Sequence, residues 1–337
     1  MYNRGNEETS GTIEKGDFMK KLLIALSILV SSTIHAQIGT PPNKGSESAD
    51  ITISGMYGSN KIEMTSCGYV AGVICSLKYK NLEFINGRLN VDGSPVDKGR
   101  QMQSAVSYNK LGEAYNPTAA GSSFFNDGFY PQPTQTSQML GRWWADNHVG
   151  VRVKMGFWNT VWDKYDPYKY YKTSNTEVVT QVTIGVSGFQ NVILYKATFA
   201  VPAVDLIPLT FGQFEVTTAY MQTYFNTFYI LNDNGNISPI ADIQKEQNKP
   251  VIFSTSDGQY AMGIYSPEAP QPEYKEAGYG IWRHPTCTKM NYVVRVNNLV
   301  QGQSYKYRAY YVVGTLSEVQ NTMNALRRTQ LPTLEQI

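Results

Sequence analysis

Residues 178–202 read VVTQVTIGVSGFQNVILYKATFAVP. Val178, Val182, Ile184 and Val186 fall on one side of the first half, with Val179, Gln181 and Thr183 on the other. After Ser187-Gly188-Phe189-Gln190-Asn191, the residues Ile193, Tyr195, Ala197, Phe199 and Val201 alternate again, until Pro202. Period two marks a strand with one buried face, and a short Gly-containing link joins antiparallel neighbours. The stretch reads as a β-hairpin and sets the class of the chain around it.

The same grammar continues outward. Val251–Ser254 and Tyr260–Tyr265 flank Ser256-Asp257-Gly258, a second hairpin signal. Tyr292–Val296 and the alternating Tyr305, Tyr307, Ala309, Tyr311 and Val313 flank a turn at 297–302, which predicts a third hairpin. One segment reads as a helix: Thr315 and Glu318 form a capping box, and Leu316, Val319, Met323 and Leu326 follow at helical spacing before Arg327 and Arg328. No repeat of 20–50 residues is visible, which disfavours a propeller or solenoid. The fold expected is all-β: one large antiparallel β-sandwich over residues 50–337 with a short C-terminal helix.

Composition narrows the function class. Charged residues are only 17% and aromatics 12% of the 337, with 24 Tyr, which excludes a disordered chain. A net charge of +2 without basic runs gives little field for phosphate, so no nucleic-acid partner is expected. Met19-Lys20-Lys21, the apolar run Leu22–Val30 and the small residues up to Ala36 have the anatomy of a secretory signal. The apolar run is too short to span a bilayer, so a stable membrane anchor is not expected. We expect cleavage after Ala36, a misassigned start with Met19 as initiator, a flexible lead-in over 37–49, and a secreted or periplasmic protein. The segment ahead of the cleavage point carries as many acidic as basic residues, so the net charge survives its loss. Cys67, Cys75 and Cys287 allow one disulfide at most; Cys67–Cys75 pairing across a tight hairpin and three buried thiols both remain open. No Cys-x-x-Cys or His-rich cluster occurs, so neither a metal site nor a cofactor is expected.

Residues 68–88 (GYVAGVICSLKYKNLEFINGR) and 98–117 (KGRQMQSAVSYNKLGEAYNP) carry a further signal. The pattern Gly-x-hydrophobic-x-Ser-Leu-x-Tyr-Lys-Asn-x-Glu-Phe resembles the early hairpin of galactose-mutarotase-like β-supersandwich proteins. That group includes sugar epimerases and the sandwich domains of polysaccharide lyases and hydrolases. Tyr260–Pro267 and the late Tyr-rich strand are similar to it as well. The resemblance implies the fold and a carbohydrate substrate. It brings no catalytic motif, because the His acid and late Glu base of the epimerases have no counterpart that can be placed here.

Candidate chemistry concentrates in three stretches. In the first, Arg142-Trp143-Trp144-Ala145-Asp146-Asn147-His148 runs on to Arg152, Lys154, Trp158 and Trp162, and holds four of the chain's five Trp. Indoles stack on the C–H faces of sugars, while amides and Arg meet hydroxyls and carboxylates. A core strand followed by a surface loop accounts for the same residues. If 151–155 is a strand, Arg152 and Lys154 share a face opposite Val151 and Val153, which suits an acidic sugar or solvent alike. The second is Gly280-Ile281-Trp282-Arg283-His284-Pro285, where an imidazole for proton transfer adjoins a guanidinium for a carboxylate. A surface loop is its plain alternative. Lys306, Arg308 and Tyr310 share one strand face and are expected along the same cleft. The third, Leu111–Pro117, offers Glu113, Tyr115 and Asn116 in a Gly/Pro-bounded loop, or simply a turn.

The expectation is a carbohydrate-active enzyme that eliminates across an acidic, uronic-acid-containing oligo- or polysaccharide. Arg152, Arg283 and Asn147 would neutralise the carboxylate. His148, His284 and Tyr115 would be acid or base, and Glu113 joins the catalytic candidates. Trp143, Trp144, Trp158, Trp282, Lys306 and Arg308 would bind the sugar. Hydrolysis by two of Glu113, Asp127, Asp146, Asp163 and Asp166 is the alternative on the same fold, and non-catalytic glycan binding is the third reading. Convergence of His148, His284, Glu113 and Arg308 on one cleft separates the enzyme readings from binding, which their scatter would favour.

Overall fold

A computed structural model describes residues 49–85, 87, 100–121, 137–158, 173–186, 188–241 and 244–334. The signal, cleavage and lead-in expectations, together with Asp127, Trp162, Asp163 and Asp166, lie outside these residues. The described residues belong to one compact unit, Asn43–Ile337.

Among the described residues two antiparallel sheets face each other, one of eleven strands and one of nine, so the sandwich expectation holds. The front sheet runs in the order Ile51–Tyr57, Asn60–Ser66, Ile74–Tyr79, Met102–Tyr108, Phe211–Met221, Thr288–Asn297, Tyr279–Arg283 and Lys245–Gln247, with three two-residue strands off that path. The back sheet runs Ile237–Pro239, Thr227–Leu231, Val251–Ser254, Ala261–Tyr265, Ser304–Gly314, Phe189–Ala200, Glu177–Val186, His148–Lys154 and Gln138–Ala145.

The alternation that identified the first hairpin is the alternation of the core. Val178, Val182, Ile184, Ile193, Tyr195, Ala197 and Phe199 are all buried between the sheets, and Glu177–Val186 pairs with Phe189–Ala200 as expected. The hairpin Val251–Ser254 with Ala261–Tyr265 is present too. The third expected hairpin is not. Thr288–Asn297 pairs within the front sheet and Ser304–Gly314 within the back sheet, so the turn between them carries the chain across the sandwich. Period two reports which face is buried and says nothing of which sheet buries it.

The tyrosines explain how so aromatic a core is tolerated. A phenol buried without a partner costs a few kcal/mol. Here Tyr195 of the back sheet meets Ser104 of the front sheet at 3.0 Å, and Tyr311 meets Thr217 at 2.9 Å. Phe199 and Phe214 touch across the same gap, with ring centroids 4.9 Å apart. Cys67 and Cys75 are joined in a disulfide with Cα atoms 5.9 Å apart, while Cys287 is a buried free thiol. The expected helix spans Leu316–Arg328. Its Thr315–Glu318 capping box is formed, and Val319, Met323 and Leu326 pack outside the back sheet on Val192, Ile252 and Val312. Among the described residues no helix is long and apolar enough to cross a membrane, which says nothing of strands.

Candidate functional site

The front sheet turns one face to the core and the other to a cavity of about 360 Å³. Strand parity decides what lines it. In Met102–Tyr108, the residues Met102, Ser104 and Val106 point inward, leaving Gln103, Ala105 and Ser107 on the cavity wall. The neighbouring strand Phe211–Met221 cannot keep one parity throughout, because it carries a bulge: Glu215 stands opposite Val293, Thr217 opposite Tyr292, and Val216 is the extra residue. The Val216 carbonyl accepts a hydrogen bond from Ser104 Oγ at 2.7 Å. Before the bulge Gln213 and Glu215 face the cavity, and after it Thr218 and Tyr220 do. Thr288–Asn297 adds Lys289, and Tyr279–Arg283 with its following turn adds Trp282 and His284.

At the floor, Lys289 Nζ lies 3.3 Å from Glu215 Oε2, with both side chains more than four-fifths buried. Burial pushes the Glu215 carboxyl up, but Lys289 and hydrogen bonds from Thr218 and Asn291 outweigh it and hold the carboxyl below its ordinary range. Burial likewise disfavours the Lys289 ammonium, yet Glu215 and Tyr220 hold it above its ordinary range. The two are therefore a charged pair. Lys289 also sits 5.6 Å from the centre of the Tyr220 ring, and burial pushes the Tyr220 phenol up to about 12. Trp158 stacks on Tyr220 with centroids 6.2 Å apart and planes 13° from parallel. Its backbone N–H donates to the Asn116 carbonyl at 2.8 Å, which fixes it at the cavity edge. His284 is pushed down by burial, and further by Lys289 and Arg100, so the imidazole is neutral at pH 7. Arg100 bonds Thr286 beside it.

Trp282 sits on a strand whose Gly280 has a specific reason to be Gly. A Cβ there would lie 2.0 Å from Asn291 Oδ1 and 2.6 Å from Trp282 Nε1. Those two buried atoms have no hydrogen-bond partner, so the wall of the site holds an indole donor and an amide acceptor unmatched within the protein.

The sequence-predicted residues divide. His284, Trp158, Trp282 and Asn116 come together in the cavity. Arg283 follows Trp282 on the strand and points the other way: it donates to the Asn226 carbonyl at 2.8 Å and lies over the Phe228 ring. Tyr115 is fully buried, donating to Asp205 Oδ1 at 2.8 Å and packing on Tyr108 and Phe157. The side chain of Glu113 lies outside the described residues.

The remaining candidates lie on the back sheet. His148 meets Thr183 Oγ1 at 2.8 Å, Asn147 donates to the Ile184 carbonyl at 2.8 Å, and Arg152 grips Glu177 through two nitrogens. Trp144 packs on the core and Trp143 covers Gly150 on the outer face. Lys306 is exposed on that face. Arg308 is buried there, paired with Glu268 at 2.8 Å and bonded to the Pro332 carbonyl. One cleft gathering His148, His284 and Arg308 is thus not what the fold builds, because the residues occupy different sheets.

Arg100, Gln103, Glu215, Thr218, Tyr220 and Lys289 went unread in the sequence. Lys289 and Asn291 alternate with Met290 and Tyr292, so extending that strand four residues earlier would have found them. Among the described residues no cluster of His, Cys, Asp and Glu could hold a metal ion.

No protein-family model matches the chain, and no curated protein matches it. Among solved structures, a GH36 α-galactosidase of Geobacillus stearothermophilus aligns with 87% of this chain and 44% of its own, at 9% identity and a TM-score of 0.43. A glycosyl hydrolase family 38 protein of Enterococcus faecalis aligns over 87% and 34%, at 10% and 0.43. A heparan sulfate lyase mutant of Pedobacter heparinus aligns over 82% and 37%, at 9% and 0.37. The chain spans less than half the length of each of these three.

Proposed function

We propose that the front-sheet cavity binds an acidic sugar unit and eliminates across it. The observation that carries this reading is the convergence of Trp158, Tyr220 and Trp282 with Arg100, Lys289 and a neutral His284 around a single paired carboxylate. The volume lies at the small end of ligand sites, suited to one or two sugar units. Indole and phenol rings accept sugar faces, and the cationic Arg100 and Lys289 suit a carboxylate. In uronate elimination a base removes the proton at C5, the carboxylate takes up the resulting charge, and the C4–O bond breaks as the C4=C5 bond forms. Neutral His284 serves as the base, Arg100 and Lys289 neutralise the carboxylate, and Tyr220, protonated at pH 7, donates to the leaving oxygen. Hydrolysis by two carboxylates fits less well: among the described lining residues Glu215 is the only carboxylate, and Lys289 holds it ionised. The Cys67–Cys75 disulfide supports an oxidising, extracytoplasmic setting.

The test is incubation with a panel of uronate oligosaccharides, following ultraviolet absorbance of an unsaturated product. His284→Ala should lower turnover by about 10²–10⁴-fold while leaving ligand affinity within about threefold. Reducing ends released without absorbance would replace elimination with hydrolysis. Binding without any product would support the second reading, a non-catalytic glycan-binding protein, which the placement of His148, Arg283 and Arg308 away from the cavity favours.

A further inference from the structure

The Trp158 ring is seated in the cavity by contacts that lead back to a residue outside it. The chain crosses from the back sheet to the front at Met155, where Gly156–Phe157 pairs with Pro117–Thr118. Trp158 follows, and its backbone N–H donates to the Asn116 carbonyl. Where the indole sits therefore depends on the turn that precedes Pro117. That turn, Gly112–Tyr115, is held at its start by Ser107 Oγ, which donates to the Gly112 carbonyl at 3.1 Å. At its end the Tyr115 ring is fully buried against Tyr108 and Phe157. A phenol at that depth needs an acceptor, and Tyr115 finds one in Asp205 Oδ1 at 2.8 Å. The neighbouring Asn116 Oδ1 is buried with no partner.

Asp205 belongs to a different crossover, residues 201–210, which leads from Phe189–Ala200 of the back sheet to Phe211–Met221 of the front. It is the sole charged residue of that stretch, and it turns inward. Its Oδ1 also accepts from the Leu206 N–H at 2.7 Å, while Oδ2 is buried without a partner. An unpartnered carboxylate oxygen costs stability that a plain connection between sheets has no reason to bear. In return the carboxylate gives Tyr115 a charge-assisted hydrogen bond, stronger and more tightly oriented than a neutral one.

We propose that Asp205 is a positioning residue for the cavity. By holding the Tyr115 hydroxyl it fixes the end of the Gly112–Tyr115 turn, and through the Asn116 carbonyl it seats the Trp158 ring nearly parallel to Tyr220. The use of the seated ring, as a platform for sugar, rests on the reading of the cavity given above. The seat itself does not. An indole stacks on a sugar along its own plane, so a tilted ring binds less tightly although no group that touches the sugar has been removed.

Near-ultraviolet circular dichroism of the full chain reads the seat, because the Trp158 contribution is the difference between each chain and its Trp158→Phe counterpart. Tyr115→Phe keeps the ring on Tyr108 and Phe157 and deletes only the hydroxyl. Asp205→Ala deletes the acceptor, and Asp205→Asn keeps an acceptor oxygen. The Trp158 contribution should fall by about half in Tyr115→Phe and in Asp205→Ala, and no further in the double variant, since the two residues share one link. Asp205→Asn should restore most of it. Affinity for trigalacturonate should follow the same order, about fivefold weaker in the first two variants and within about twofold of the parent in Asp205→Asn. Should Asp205→Ala fail to fold, Tyr115→Phe and Asp205→Asn carry the comparison. A Trp158 contribution that follows Tyr115 and Asp205 while trigalacturonate binds none of the chains would sustain the seat and count against the cavity reading. An unchanged contribution in Tyr115→Phe and Asp205→Ala, or melting temperatures that fall while contribution and affinity hold, would overturn it and leave Asp205 a structural residue only.

Discussion

Two segments of this chain look alike as sequence and differ in every structural respect. Arg142-Trp143-Trp144 with His148, and Trp282-Arg283-His284, each set an indole beside a guanidinium and an imidazole. The first lies on an edge hairpin of the back sheet, where His148 bonds Thr183 and Arg142 is buried, donating to the carbonyls of Ser66 and Ala49. The second ends a front-sheet strand, where parity sends Trp282 to the cavity and Arg283 away from it, and the turn that follows returns His284 to the cavity. Residue type supplies the chemistry that a segment can perform. Sheet membership and parity decide whether its side chains meet anything to perform it with.

The contrast can be pressed experimentally. Lys289→Met leaves the Glu215 carboxylate buried without its partner and should cost about 3–5 kcal/mol in urea unfolding, with Glu215→Gln in the same chain recovering much of the loss. The two glycines come next. Gly280→Ala and Gly150→Ala each force a methyl into a packed ring or amide and should each cost about 1–3 kcal/mol. Only Gly280→Ala should also weaken sugar binding by the cavity, measured calorimetrically; equal losses from both would erase the distinction between the faces. Trp282→Ala should weaken a short acidic oligosaccharide about tenfold, roughly 1.4 kcal/mol, whereas Trp143→Ala should leave that affinity unchanged.

A smaller effect concerns pH. His284 titrates below its ordinary value, so the unfolded chain takes up its proton first as pH falls. The stability associated with neutral His284 is complete above about pH 6.5 and is lost as pH drops through the folded value. The acid limb of any turnover should accordingly lie below pH 6.5, and Arg100→Met should move it upward by less than about one unit. An acid limb above pH 7 would remove His284 from the role of base. The smallest change belongs to the exposed pair on the back face, where Arg152→Ala should cost under about 1 kcal/mol.

How much of this was legible follows from the same physics. The hairpin at 177–200, the one at 251–265 and the capped helix were readable because each is specified locally, by alternation, turn residues or a capping box. The crossover at 298–303 was not, since a turn between two alternating runs looks the same whether the chain pairs with itself or changes sheets. Trp158, Trp282 and His284 were found by type. Glu215 and Tyr220 were missed because the strand Phe211–Met221 breaks its own alternation, so neither half presents a long enough period to read.

That broken alternation has a consequence for how the site can be inherited. Val216 acts as a one-residue phase shifter: upstream of it odd positions reach the cavity, downstream even ones do. Deleting one codon there would leave the composition nearly untouched and the strand still able to pair. It would also remove the bulge and set Glu215, Thr217 and Thr218 in plain alternation, so Thr218 and Tyr220 would stay on the cavity face. The site is therefore written partly in spacing: the count between Glu215 and Thr218 can fall by one without turning the site over, because the bulge is what absorbs the odd residue.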